Sequence, residues 1–75
     1  MATTRLDASG LICPLPVLKA RKALKAVAIG DVLEVVATDP GAAKDFPSFC
    51  ETTGNTLVET LPEGAATVFR IRRER

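Results

Sequence analysis

The sequence predicts an α/β (α+β) two-layer sandwich of order β-α-β-α-β-β, with two helices on one face of a four-stranded mixed sheet. A short alternating strand precedes an amphipathic helix that begins near Pro14, and a second strand–helix pair follows between Asp31 and Thr53. Two further strands, separated by a proline–glycine turn, complete the chain. If both right-handed crossovers step the same way across the sheet, both helices lie on one face. Seventy-five residues predict one domain, 1–75, with a modest core.

The first strand and helix follow from hydrophobic spacing. Residues 4–8 alternate polar and apolar side chains, which predicts a strand with Leu6 and Ala8 pointing inward. After a Ser-Gly turn, a helix is predicted from Pro14 to Gly30. Its core-facing stripe, at spacings of three and four, is Val17, Ala20, Leu24 and Val27.

The middle of the chain predicts the most strongly apolar strand, at 31–37, followed by two short helical segments. Leu33, Val35 and Ala37 are expected on one face of this strand, and Val32, Glu34 and Val36 on the other. A helical turn through Lys44 is then predicted, with a separate short helix at 48–53 that begins after Asp45 and ends at Gly54-Asn55. Asp39-Pro40 and Asp45 are interpreted as caps.

The last two strands are predicted at 56–61 and 66–73, with the turn at Pro62-Glu63-Gly64. The helix-free face of the sheet is expected to carry both charged and apolar side chains. The apolar ones would favour a partner or dimer surface on that face. The residues expected there are Glu34, Arg70, Arg72, Val32, Val36 and Val68.

Composition excludes several classes of function. The formal net charge is +1, which argues against broad nucleic-acid binding, and no apolar run is long enough to span a membrane. No signal peptide is visible, so a cytoplasmic protein is expected. The chain has no histidine, which excludes Cys-His and Ser-His-Asp catalysis, and two cysteines alone do not fill a zinc site. No metal and no resident cofactor are therefore predicted.

Cys13 is the predicted nucleophile. Proline is tolerated in the first turn of a helix, so Pro14 and Pro16 predict a helix start with Cys13 at the N-cap. A helix N-terminus carries roughly half a positive charge, and the free N–H of Leu15 is expected near the sulfur. These features predict an exposed thiolate that is mildly activated, in a site shaped by Pro14, Leu15 and Pro16.

Other residues leave alternatives open. Cys50 is interpreted as a small buried hydrophobe, although a thiol-redox switch with Cys13 would make it a resolving thiol. Lys19, Lys22 and Lys25 form either a solvated helix face or a patch that steers acidic partners toward Cys13. The arginine-rich end is interpreted as a solvated strand, with a regulatory or RNA-binding module as the alternative. Its residues are Arg70, Arg72, Arg73 and Arg75.

A family resemblance rests on the Cys-Pro-x-Pro motif at 13–16, together with Leu-Asp-Ala at 6–8 and Gly-Leu at 10–11. It continues over most of the chain, and the sequence resembles the TusA-like (SirA-like) sulfur carriers. The other matching positions are Arg21-Lys22, Gly30-Asp31, Ala37-x-Asp39-Pro40 and Asp45-Phe46-Pro47-x-Phe49-Cys50.

The resemblance implies the same two-layer fold and a sulfur relay. Cys13 would accept sulfane sulfur from a cysteine desulfurase or a rhodanese, as a transient persulfide, and pass it to an acceptor protein. The family's pathways include 2-thiouridine formation in tRNA, molybdenum-cofactor maturation and sulfur oxidation. Ile12 and Leu15 replace charged residues of several relatives. Residues 12, 19 and 22 (Ile, Lys and Lys) are the candidate partner-docking positions.

The chemistry of the residues is compatible with such a relay. A thiolate attacks the outer sulfur of a persulfide directly, and a thiolate leaves, so no general base is required. The absence of histidine is therefore no obstacle. The site would have to be shallow, because two proteins must bring their sulfur atoms together.

Overall fold

The predicted two-layer architecture is confirmed. A computed structural model describes residues 2–75. The elements are β1 (Thr3–Ala8), α1 (Leu15–Leu24), β2 (Val32–Ala37), α2 (Ala42–Thr53), β3 (Thr56–Glu63) and β4 (Ala66–Arg72). The sheet order is β1-β2-β4-β3, in which β1 runs parallel to β2 and the other neighbours are antiparallel. Within the described residues, no helix is long and apolar enough to cross a membrane.

The core lies between the helices and the inner face of the sheet. Leu33, Val35 and Ala37 of β2 all join it, as their alternation predicts. Phe46 of α2 is fully buried and stacks on Phe69 of β4, with ring centroids 4.6 Å apart. An offset aromatic pair adds roughly 0.5–1.5 kcal/mol to the free energy gained by burial. This pair joins α2 to the centre of the sheet.

The prediction of two short helical segments after β2 is wrong, because α2 is one continuous helix with Pro47 inside it. An internal proline costs about 3 kcal/mol, and burial of the aromatic rings of Phe46 and Phe49 offsets this cost. Gly41 is the N-cap, and its N–H donates to Asp39 Oδ2 at 3.1 Å. Asp39 therefore shapes the approach to α2, whereas Asp45 is not a cap. Gly54, with φ 77°, ends the helix as predicted.

Helix α1 begins later than predicted. Pro14 is the N-cap, and Cys13 lies one residue outside it, joined by a cis peptide bond. The N–H of Leu15 donates to Ile12 O at 2.9 Å, so it is not free. The helix also ends earlier, at Leu24, although Val27 beyond it is still buried.

The β3–β4 hairpin turns at Gly64-Ala65, so the turn begins two residues later than predicted. Pro62 lies within β3, paired with Thr67. A proline is tolerated there because β3 is an edge strand. Gly64 has φ 61°, which suits glycine in a tight turn.

The outer sheet face carries the predicted residues but not the predicted apolar surface. Val32, Val36 and Val68 lie there, and all three are buried. A row of alternating charge crosses the four strands beside them. Arg70 contacts Glu34 at 3.2 Å and Glu59 at 2.7 Å, and Arg5 approaches Glu34 at 3.7 Å. Long charged side chains cover apolar surface with their stems, so these valines offer no exposed patch for a partner.

Replacing Phe46 should test the anchoring of α2. We expect Phe46→Ala to lower the free energy of unfolding by about 3–5 kcal/mol, because it removes a fully buried ring and leaves a cavity. Leu18→Ala, at a position that is 52% exposed, should change it by less than about 0.5 kcal/mol. Urea unfolding followed by circular dichroism measures both, and equal losses would contradict the assignment.

Candidate functional site

Cys13 is exposed at an open cleft between α1 and α2. The cleft has a volume of about 320 Å³. Its position follows from the fold, because the segment before α1 and the first turns of α2 meet on the helix side of the sheet. The lining residues are Cys13, Pro14, Val17, Arg21, Asp45, Ser48, Phe49, Thr52 and Thr53.

One face of each helix forms the walls. On α2, residues 45, 48, 49 and 52 recur at helical spacing, so the carboxylate of Asp45 and the ring of Phe49 share one stripe. On α1, Val17 and Arg21 are one turn apart on the facing side. The cleft therefore has an apolar floor with one acidic and one basic side chain, and it is too open to enclose a small substrate.

The sulfur of Cys13 is held by a carboxylate. Cys13 Sγ donates a hydrogen bond to Asp45 Oδ2. This bond raises the pKa of the Cys13 thiol, and desolvation and the charges of Asp45 and Asp39 raise the pKa further. The free protein thus favours the thiol, and the prediction of a mildly activated thiolate is wrong.

Local backbone geometry explains the difference. Cys13 lies outside the helix, the two prolines supply no N–H, and the N–H of Leu15 is bonded to Ile12 O. The donors of the helix start are therefore missing at Pro14 and Pro16 and occupied at Leu15. The nearest charged group is instead an acceptor, and it stabilises the protonated sulfur.

The loop before α2 closes against the same cysteine. A Cβ placed on Gly41 would lie 3.5 Å from Cys13 Cβ and 2.8 Å from Asp39 Oδ2. Gly41 therefore lets this loop approach without displacing Asp39. Asp39 brings a second carboxylate to the Cys13 side of the cleft.

The other predicted site residues fall into three groups. Ile12 and Leu15 form an exposed apolar rim beside Cys13, with 68% and 47% of their surface exposed, and Leu18, which was not predicted, extends the rim with 52% exposed. Pro14 lines the cleft, whereas Pro16 is buried in α1. Lys19 and Lys22 are exposed outside the cleft, and Lys19 Nζ donates to Asp7 O at 3.0 Å.

Of the predicted lysine patch, only Lys25 lines the groove between the helices, and the other basic residues there are arginines. Arg21 lines the cleft at Cys13, and a smaller adjoining cleft of about 180 Å³ shares Arg21 and continues past Lys25 to Arg73 and Arg75. The groove is thus acidic near the sulfur and basic at its far end.

Cys50 is buried and lies outside the cleft lining. Only 3% of it is exposed, and burial raises the pKa of its thiol to about 11. This confirms the interpretation of Cys50 as a small core residue. Among residues 2–75, no cluster of three or more histidine, cysteine, aspartate or glutamate side chains could hold a metal ion.

The arginine-rich end is occupied by internal contacts. Arg73 Nη1 donates to Val27 O at 2.6 Å, and Arg72 Nε contacts Glu74 at 3.4 Å. With Arg70 paired to Glu34 and Glu59, these side chains support the sheet and the loop after α1. They do not form the unpaired basic surface that RNA binding requires.

Comparison with known proteins places this chain in a defined family. The family model described as Sulfurtransferase TusA matches residues 4–73. The chain belongs to the TusA sulfurtransferase family. Relatives include the sulfur carrier protein TusA of Allochromatium vinosum, 54% identical over 68 residues, which cover 91% of this chain and 90% of that protein. The sulfur carrier protein TusA of Pseudomonas paraeruginosa is 41% identical over 69 residues, 92% of this chain and 87% of that protein.

A solved structure supports the TusA fold. The crystal structure of a SirA-like protein from Desulfitobacterium hafniense superimposes with a TM-score of 0.81. The match covers 99% of this chain and 100% of that chain at 24% sequence identity. At this identity, the likeness concerns the fold alone.

Asp45 and Arg21 are the cleft residues that sequence reasoning missed. The sequence predicts Asp45 to be a helix cap because proline follows two residues later. The sequence does contain a signal for the position of Asp45. If the helix is continuous, Phe46, Phe49 and Cys50 form one apolar stripe, and residues 45 and 52 lie at its edge. Recognising the sulfur contact also required knowing how the two helices pack.

The buried thiol of Cys50 predicts a pH dependence of stability. In the folded chain this thiol titrates near 11 instead of the ordinary 9.0. Its protonated form therefore contributes stability fully below pH 9.0, and that contribution is lost as the pH rises toward about 11. Urea unfolding should show the wild type losing more free energy of unfolding over this window than Cys50→Ala. Parallel losses in the two proteins would contradict the assignment.

Proposed function

We propose that the chain is a sulfur-relay carrier that accepts sulfane sulfur as a persulfide on Cys13 and transfers it to an acceptor protein. The observation that carries this proposal is the exposed Cys13 at an open cleft, in a chain of the TusA family. An open cleft suits a reaction in which another protein, and not a small molecule, delivers the reacting atom.

The loading step is a displacement at sulfur. The thiolate of Cys13 attacks the outer sulfur of a donor persulfide and forms a new S–S bond, while the donor's S–S bond breaks. The donor cysteine leaves as a thiolate, which takes up the proton that Cys13 released. In the unloading step, an acceptor thiolate attacks the outer sulfur on Cys13 and restores the original cysteine. Neither step needs an external oxidant or reductant.

The partners in this proposal are a donor and an acceptor protein. A cysteine desulfurase or a rhodanese would supply the sulfur, and the acceptor would serve tRNA 2-thiolation, molybdenum-cofactor maturation or sulfur oxidation. The chain would act as a sulfurtransferase-type covalent carrier with little turnover by itself. The relay would operate in the cytoplasm, where free thiols persist.

Docking of the partners would use the surface around the sulfur. The rim of Ile12, Leu15 and Leu18 offers exposed apolar side chains next to Cys13. Such side chains suit the centre of a protein interface, where water must be excluded. The exposed Lys19 and Lys22 lie on the same helix, where they would form the polar edge of the interface.

The two alternative functions receive no support from the geometry. Cys50 is enclosed in the core, so a disulfide with the exposed Cys13 would require α2 to open. Of the arginines proposed for an RNA-binding module, Arg70, Arg72 and Arg73 are engaged with carboxylates or backbone carbonyls.

Persulfide formation on Cys13 is directly testable. Incubation with a cysteine desulfurase and cysteine, or with a rhodanese and thiosulfate, should add about 32 Da to the intact protein, the mass of one sulfur atom. Reduction should remove this mass. The adduct should be absent from Cys13→Ser, because the serine hydroxyl cannot attack the donor persulfide.

Cys50→Ala is the matched control and should gain the same mass as the wild type. Peptide mapping of the loaded protein should place the sulfur on residue 13. Loading that persists in Cys13→Ser, or that requires Cys50, would refute the proposal.

A further inference from the structure

The environment of Cys13 is acidic although its proposed role requires a thiolate. Asp45 of α2 accepts the thiol hydrogen bond, and Asp39 of the preceding loop adds a second nearby carboxylate. Helix α1 contributes the charged side chain of Arg21 to the cleft. Within residues 2–75, Arg21 forms no ion pair. Lys19 is engaged with Asp7 O instead. Among the residues that the structure describes, therefore, no cation is paired with Asp45.

We propose that Asp45 is a positioning residue that keeps Cys13 protonated in the free carrier, and that a partner releases the sulfur by bringing a cation to this carboxylate. This inference rests on the proposed sulfur-carrier function. The carrier function by itself requires only an exposed cysteine, so the inference assigns Asp45 a role that the carrier function does not already include.

The consequence for loading follows from charge. A cationic side chain beside Asp45 would compete for the carboxylate, weaken the thiol hydrogen bond and favour the thiolate. The Cys13 proton then passes to the departing donor thiolate as the new S–S bond forms, so atoms and charge balance. Without such a partner, the exposed sulfur remains a thiol and reacts slowly with unrelated disulfides.

The consequence for the loaded state is equally specific. A persulfide has no proton on its inner sulfur, so the bond from Cys13 Sγ to Asp45 cannot exist after loading. If the outer sulfur is anionic, the carboxylate repels it. The outer sulfur would then lie away from α2, toward the exposed rim of Ile12 and Leu15. Asp45 would thus hold the thiol by a hydrogen bond in the empty carrier. In the loaded carrier it would direct the outer sulfur toward the exposed rim.

The test compares three methanethiosulfonate reagents that modify thiols and differ only in charge: neutral, cationic and anionic. Exchange at Cys13 is followed in a Cys50→Ala background near neutral pH. Asp45→Asn removes the charge and keeps the side-chain size, and Glu51→Gln removes one exposed carboxylate elsewhere on α2 as the matched control. Circular dichroism verifies that each variant is folded.

We expect Asp45→Asn to accelerate exchange with the neutral reagent by about three- to fourfold for each unit by which the thiol pKa falls, because the thiolate fraction rises while the nucleophilicity of each thiolate decreases. It should also reduce the ratio of the cationic to the anionic rate several-fold, and Glu51→Gln should change neither quantity. Unchanged rates in Asp45→Asn would overturn the inference. Slower exchange would overturn it as well, since it would mean that Asp45 activates the sulfur.

The outcome is separable from that of the proposed function. If wild-type Cys13 forms the persulfide but Asp45→Asn leaves the exchange rates unchanged, only the role of Asp45 fails. If wild-type Cys13 forms no persulfide, the carrier function fails whatever the exchange rates show.

Discussion

The stacking of Phe46 on Phe69 fixes how α2 is rotated on the sheet, and the site depends on that rotation. Neighbouring residues of a helix point about 100° apart. With Phe46 directed into the core, Asp45 is therefore directed toward α1, where it contacts Cys13. A rotation of α2 by one residue would replace this carboxylate with a different side chain. The core thus determines the chemistry of a sulfur that lies outside it.

Two electrostatic influences compete at Cys13. A helix N-terminus can stabilise a nearby anion by roughly 0.3–2 kcal/mol, which would favour the thiolate. Here the cysteine stands outside the N-cap, and its nearest charged partner is a carboxylate that accepts the thiol proton. The hydrogen bond acts at contact distance, whereas the helix terminus offers the sulfur no free N–H from Leu15. The hydrogen bond to the carboxylate therefore outweighs the effect of the helix N-terminus, and the exposed Cys13 remains protonated.

Most of the fold could be predicted from the sequence, because polar and apolar residues alternate clearly along the strands and glycines stand where helices and strands end. The rotation and extent of α2 were not predicted, because Pro47 argues locally for a helix start while the tertiary burial of Phe46 and Phe49 sustains one longer helix. The row of charged side chains that covers the valines of the outer sheet face could not be predicted either, because it depends on the strand register that aligns Glu34 with Arg70. For the site, Cys13 was evident from its motif. Its acceptor, 32 residues away, became evident only from the packing of the two helices.

The most direct test of this account is a pH titration of the wild-type protein by nuclear magnetic resonance, with ¹³C-labelled cysteine and aspartate. If Asp45 holds the thiol proton, the Cys13 Cβ signal should titrate above the ordinary range of a cysteine, and the Asp45 carboxyl signal should respond to the same transition. A Cys13 transition below the ordinary cysteine range, with an Asp45 signal that does not sense it, would contradict the account.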